Sequence, residues 1–124
     1  MNILPDRQTV MVSAARTASA NSDDQVAPPG ARGLRVIIDV TADPASASIV
    51  FTIAMKELIS GSYISMLASA AVTGTGETVL TIYPGCVAVA NSILNQPAPA
   101  EWRLQAVAAD SDSMTYSASA EYLA

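Results

Sequence analysis

A period-two alternation of apolar and polar side chains, recurring about every ten residues, limits this chain to a narrow set of folds. It is clearest from Gly33, where Leu34, Val36, Ile38 and Val40 fall on one side of an extended segment and Arg35, Asp39 and Thr41 on the other, with Ile37 the apolar exception. Asp43-Pro44 ends the run. The next run sets Ile49, Phe51, Ile53 and Met55 opposite Val50, Thr52, Ala54 and Lys56. On a helix these apolar residues would spread around the axis; on strands they form one buried face.

The same reading predicts further strands. Residues 8–15 form a first strand, and Ser60-Gly61-Ser62 supplies a tight turn before a return strand that puts Ile64, Met66, Ala68, Ala70 and Val72 together. After Thr73-Gly74-Thr75-Gly76, Thr78, Leu80 and Ile82 alternate with Val79, Thr81 and Tyr83 until Pro84-Gly85. Two last strands align Trp102, Leu104, Ala106 and Ala108, then Met114, Tyr116, Ala118, Ala120 and Tyr122. About seven strands separated by turn residues predict an all-β, antiparallel β-sandwich, immunoglobulin-like or jelly-roll-like. Val87–Leu94 reads as a short helix or an irregular excursion, and the prolines of 95–99 mark a loop. Within this single domain, residues 1–32 read as an N-terminal strand plus an extended arm or loop, and 33–124 as the sandwich body. The arm from Thr17 to Arg32 has no period of either kind, ends in Pro28-Pro29-Gly30, and is long enough to reach across a neighbour.

Composition narrows function more than it names it. The chain is 51% hydrophobic but only 5% aromatic, with one Trp and one Phe, so a core rich in Ala and Ser is expected, thin enough to benefit from burial against neighbouring subunits. The net charge is −5 and the basic residues are scattered, which argues against nucleic acid as a partner. Histidine is absent, removing the commonest general base and metal ligand; no catalytic residue, metal or cofactor is expected. Cys86 stands alone, so no internal disulfide or thiolate cluster can form, and it reads as a small buried apolar residue. The first residues read as lacking a secretory signal. The uncharged stretches 58–76 and 78–100 are broken by Gly and Pro, so no membrane span is expected.

Several residues have a chemical and a structural reading. Asp23-Asp24 and Asp110-Ser111-Asp112 carry oxygens that suit calcium, but Asp and Ser are also turn formers, the reading preferred here. Gly74-Thr75-Gly76 lacks the lysine and the helix a phosphate loop requires and reads as a hairpin turn. Trp102 with Tyr63, Tyr83, Tyr116 and Tyr122 offers a carbohydrate-binding platform, although Trp102 shares parity with Leu104 and reads as core. Tyr116 and Tyr122 lie on the apolar parity of the last strand, with hydroxyls able to reach an interface.

The runs Ala15-Arg16-Thr17-Ala18-Ser19-Ala20-Asn21-Ser22-Asp23-Asp24-Gln25 and Gly33-Leu34-Arg35-Val36-Ile37-Ile38-Asp39-Val40-Thr41-Ala42, then Tyr83-Pro84-Gly85 and Trp102-Arg103-Leu104, together resemble small β-rich structural proteins encoded among the head genes of tailed bacteriophages. The similarity runs from about residue 13 to 122. It departs after Lys56, where such proteins usually carry a longer charged hairpin. The resemblance implies a virion component: a capsid decoration or cement protein on the outer surface of the head, bound to the major capsid protein lattice as a homo-oligomer, often a trimer. A head–tail connector or minor tail component is the related alternative, and a carbohydrate-binding sandwich for host attachment a different one. On the leading expectation the N-terminal segment and the arm contact the shell or a neighbour, so Arg16, Asn21, Asp23, Asp24, Gln25 and Arg32, with Tyr116 and Tyr122, are the candidate interface.

Overall fold

The alternating runs become β4 (Gly33–Ala42), β5 (Ile49–Lys56), β9 (Glu101–Ala108) and β10 (Met114–Leu123) in a computed structural model that describes residues 6–124. β1 (Asp6–Arg16), β6 (Tyr63–Ala68) and β7 (Gly76–Ile82) complete the long strands. Three two-residue strands, β2 (Ala20–Asn21), β3 (Gln25–Val26) and β8 (Ile93–Leu94), raise the count from the expected seven to ten, because two residues are too few to show a period. No helix occurs among the described residues, so Val87–Leu94 is an irregular excursion ending in β8. Residues 1–5, on which the signal reading and part of the N-terminal contact rest, lie outside the described residues.

The strands form two sheets, ordered β1-β10-β4-β7-β8 and β2-β9-β5-β6, and β3 joins the second along the edge of β9 that β2 also uses. All pairs are antiparallel except β7 with β8. Counting β2 and β3 as one interrupted strand and leaving β8 aside, the first strand pairs with the last, the second with the next to last, and so inward to β5 with β6. That is a long hairpin rolled into two layers, the pairing order of a jelly roll, and it decides between the two sandwich types left open by the alternation.

This order changes the reading of residues 17–32. The segment is not an arm free to reach a neighbour but the second strand of the roll, strapped along β9. Ser22 N donates to Leu104 O at 2.9 Å, and the Ser22 hydroxyl accepts from Leu104 N at 2.9 Å. The Ser19 hydroxyl accepts from Ala108 N at 2.9 Å, and Ala27 N donates to Ala100 O at 2.9 Å. Serine hydroxyls thus take the place of ladder groups, which is why the strap shows no hydrophobic period.

The space between the sheets is filled by Leu34, Val36, Ile38 and Val40 of β4, Ile49, Phe51 and Ile53 of β5, Leu80 and Ile82 of β7, Trp102 and Leu104 of β9, and the inward row of β10. The core is not thin as composition implied. Most alanines lie elsewhere, and where β10 does present Ala118 and Ala120 it carries Tyr116 and Tyr122 on either side. Both tyrosines are fully buried, so neither belongs to an interface. Tyr116 packs edge-on against Phe51, ring centroids 5.0 Å apart, and Tyr122 against Trp102 at 6.5 Å. These pairs tie the layers together at both ends of the last strand.

Two other expectations shift. A register break sets Ile53 opposite Leu67 but Ala54 opposite Ser65, and this reverses the phase of β6: Leu67 and Ser69 turn inward while Ile64 stays exposed. Cys86 is half-buried in the loop after β7, its thiol donating to the Tyr83 carbonyl at 2.9 Å. The Tyr83 ring lies over Gly33, where any Cβ would overlap it.

The two core tyrosines should respond differently to loss of the hydroxyl. The Tyr122 hydroxyl accepts from Trp102 Nε1 at 3.0 Å, whereas that of Tyr116 has no hydrogen-bond partner. Tyr122→Phe strands a buried indole N–H and should cost about 1–3 kcal/mol, while Tyr116→Phe should change stability by less than about 1 kcal/mol. Urea unfolding followed by the fluorescence of Trp102 measures both.

Candidate interaction surface

Alternation places Thr52, Ala54 and Lys56 on the face of β5 that points away from the core, and pairing sets Arg103 and Gln105 of β9 beside Ala54 and Thr52, with Tyr63 of β6 beside Lys56. Between β2 and β3 the strap steps over the edge of this face at Asp23–Asp24. Asp24 reaches inward, its Oδ2 accepting from Lys56 Nζ at 2.8 Å and its Oδ1 from the Tyr63 hydroxyl at 2.7 Å. Glu101 Oε2 lies 3.9 Å from the same ammonium. Arg103 stands opposite Ala54, and its guanidinium stacks on the Tyr63 ring at 3.6 Å. With its amide turned so that both ends are satisfied, the Gln105 oxygen accepts from Arg103 Nε at 3.2 Å and from the terminal nitrogen at 3.0 Å.

The patch therefore unites the strap, the β5–β6 hairpin and β9, three parts of the chain separated by tens of residues. The side chains of Asp24 and Lys56 are 28% and 30% exposed, open enough to meet a partner and held in fixed positions by one another. The Lys56 ammonium and then the Tyr63 hydroxyl hold the Asp24 carboxyl below its usual range; Asp24 in turn raises Lys56 and Tyr63. What the arrangement offers is directional recognition: anion, cation, hydroxyl and guanidinium on a rigid sheet.

The eight candidate interface residues separate into three groups. Asp24 belongs to the patch, and Asn21, Asp23 and Gln25 flank it on the strap. Arg16 and Arg32 serve the scaffold. Arg16 lies over the Tyr116 ring at 4.6 Å and donates to the carbonyls of Val12 at 2.8 Å and Tyr116 at 2.9 Å, closing the irregular end of β1. Arg32 sits 5.8 Å above the Tyr83 ring, and its backbone bonds Leu123 and Ala98. Tyr116 and Tyr122 are core. Tyr63 reads from sequence only as part of an aromatic platform, and nothing local marks Lys56, Glu101 or Arg103; only the register of β5, β6 and β9 brings the four together.

The other candidate chemistries meet specific geometry. The Asp24 carboxylate is committed to Lys56 and Tyr63, and Asp110 Oδ1 accepts from Asp112 N at 3.0 Å, the turn role preferred for it. No group of three acidic or cysteine side chains among the described residues is placed to hold a metal ion. The aromatic platform does not form: Trp102, Tyr116 and Tyr122 are buried, and Arg103 and Arg32 lie over the rings of Tyr63 and Tyr83. Gly74-Thr75-Gly76 leads into β7 beside an open groove of about 400 Å³ lined by Ala70–Val79, Asn91 and Ser92. No helix of the described residues is long and apolar enough to cross a membrane. Compared with known proteins, the chain matches no family model, and no curated protein is significantly similar to it.

The directions of the shifts set a pH window. Asp24 and Glu57 titrate below their usual range, Asp24 through Lys56 and Glu57 through Ser60, so their contribution is complete above the ordinary 3.8 and 4.5 and is lost as pH falls through the lower folded values. Lys56 is raised by Asp24, Tyr63 by the same carboxylate, and Tyr116 and Tyr122 by burial. Each of the four keeps its proton in the fold beyond the pH at which the unfolded chain releases it, so stability falls above about pH 10. Urea midpoints should form a plateau between about pH 5 and 9 and fall on both sides. Asp24→Asn should speed amide exchange at Ser22, Ala27 and Leu104, whose hydrogen bonds join the strap to β9, while leaving Ile38 in the middle of the other sheet protected, since it frees the strap and not the core.

Proposed function

We propose that this chain is a virion structural protein of a tailed bacteriophage, a non-enzymatic decoration protein that binds the outer surface of the head lattice as a homo-oligomer, with a trimer favoured. The observation that supports this reading best is where the resemblance falls on the fold. The Ala15–Gln25 run forms the end of β1 and the strap, which pairs with the strand holding Trp102-Arg103-Leu104. The run from Gly33 forms β4, and its first residue lies beneath the ring of Tyr83, the start of Tyr83-Pro84-Gly85. The segments that carry the resemblance are thus separated in sequence and joined in space, as expected if they describe one shared scaffold.

The architecture is compatible with this role. Jelly rolls recur in viral capsid proteins and also in lectins, so the fold alone is an analogy. The patch around Asp24 adds a preorganised polar surface of the kind that confers register on a protein contact. Such a protein raises shell stability by mass action, because it binds the assembled lattice and not the dispersed subunits. The carbohydrate-binding alternative loses its main support with the burial of Trp102.

Quantitative mass spectrometry of purified virions should find the chain in hundreds of copies; a dozen or fewer would replace decoration by a connector or tail role. Purified chain should bind emptied heads and give no signal on a glycan array. The reverse pattern would remove the proposal.

A further inference from the structure

We propose that the outward face of the β1-β10-β4-β7 sheet is a two-fold interface for a second copy of this chain, centred on Ile37. The inference is independent of the virion reading, and it makes the closed unit two copies where the resemblance favours three. Ile37 is the apolar exception on the polar side of β4. Pairing places it between Ser119 of β10 and Val79 of β7, and Val79 is 41% exposed. Ser119 is too small to fill the surface beside it, and a hollow of about 250 Å³ opens there with Arg7, Ile37, Ser119 and Glu121 in its walls.

The charges on the two sides of this row are opposite in sign. Toward one end, Arg35 and Arg7 both reach Glu121, at 3.4 and 3.3 Å, so two guanidiniums share one carboxylate. Toward the other, Asp39 of β4 lies directly opposite Glu77 of β7, and neither takes part in an ion pair among the described residues. Like charges paired across strands destabilise a sheet. The remaining basic side chains cannot relieve them, since Lys56 and Arg103 serve the other sheet and Arg16 and Arg32 lie over Tyr116 and Tyr83. A two-fold axis in the plane of contact, crossing the strands through Ser119, Ile37 and Val79, supplies what is missing. It sets Arg35 of each copy over Asp39 and Glu77 of the other, and it brings the two Ile37 side chains together beside the hollows. Two sheets then stack face to face with their strands nearly aligned, an ordinary packing. Four strands wide and up to ten residues long, the face offers roughly 600 Å² on each copy, the lower end of what specific pairs bury. A bilayer fits poorly, because it would desolvate Asp39 and Glu77 without a cation. Leu58 and Ile59 at the β5–β6 tip are more exposed, at 91% each, but Glu57, Lys56 and Tyr63 adjoin them together and select no occupant.

Sedimentation velocity of the full chain over a concentration series tests this and should show a reversible dimer. Asp39→Arg and Arg35→Asp should each weaken self-association by roughly a hundredfold, because like charges then meet across the axis. An equimolar mixture of the two variants should recover a dimer, since each supplies the charge that the other lacks. Ile37→Glu, which disturbs no ion pair and sets two carboxylates on the axis, should be monomeric; it decides the matter should a charge variant lose the far-UV circular dichroism of the fold. Leu58→Ser/Ile59→Ser should dimerise as the wild type does. A wild type that stays monomeric or sediments as a trimer overturns the proposal. So does a mixture that fails to recover, or a dimer that survives Ile37→Glu and is lost in the tip variant. Binding to emptied heads, measured separately, bears on the virion reading alone.

Discussion

The fold depends on the chain closing upon its own beginning, with β1 and the strap pairing the two strands that are made last. None of the core can be sealed until those pairings form, because β10 and β9 hold Tyr116, Tyr122, Trp102 and Leu104 in the interior, and each needs a neighbour from the first third of the chain to finish its sheet. Closing loops of that length costs entropy before any contact rewards it, which makes such topologies slow to fold. The two aromatic pairs repay the cost locally. Phe51 with Tyr116 and Trp102 with Tyr122 join one sheet to the other, so sheet pairing and core packing are completed together.

The same closure builds the surface. Asp24 is held near Lys56 only because Ser22 and Ala27 fasten the strap to β9 on either side of it, and Tyr63 faces Asp24 only because β5 carries β6 into register. Exposed ion pairs usually contribute little, since two flexible side chains must be ordered in water. Here the ordering is shared among a carboxylate, an ammonium, a phenol and a stacked guanidinium, so each contact restricts the others. The patch is accordingly better suited to fixing the orientation of a contact than to stabilising the monomer. Scaffold and polar patch meet in the strap, which belongs to both.

How much of this could be read from the residues follows from the range of each interaction. β4, β5, β9 and β10 were legible because period two is a local consequence of having one buried face. The strap was not, since its partners are backbone groups and its Ser side chains imitate a loop; the one signal it carries is serine at 19 and 22 within an unpatterned run. The phase of β6 was lost to the break between Ile53 and Ala54, which no pattern within β6 reports. Tyr116 and Tyr122 obeyed their parity more strictly than their hydroxyls suggested, because one found Trp102 and the other was buried without a partner. Asp24 was named as a candidate without its partners, for Lys56, Tyr63, Glu101 and Arg103 are separated from it by tens of residues and are unremarkable singly.

A residue pair such as Leu58 and Ile59 has a different logic. A hairpin that served only to connect β5 with β6 would gain solubility from polar side chains at its tip, and Ser60, Gly61 and Ser62 already supply the turn. Placing two aliphatic side chains in water there contributes nothing to the monomer's fold and leaves an association hazard. Glu57 then adds rigidity to the exposed pair by spending its carboxylate on the loop and not on solubility. The tip lies at the end of the sheet that carries the Asp24 patch, two residues beyond Lys56.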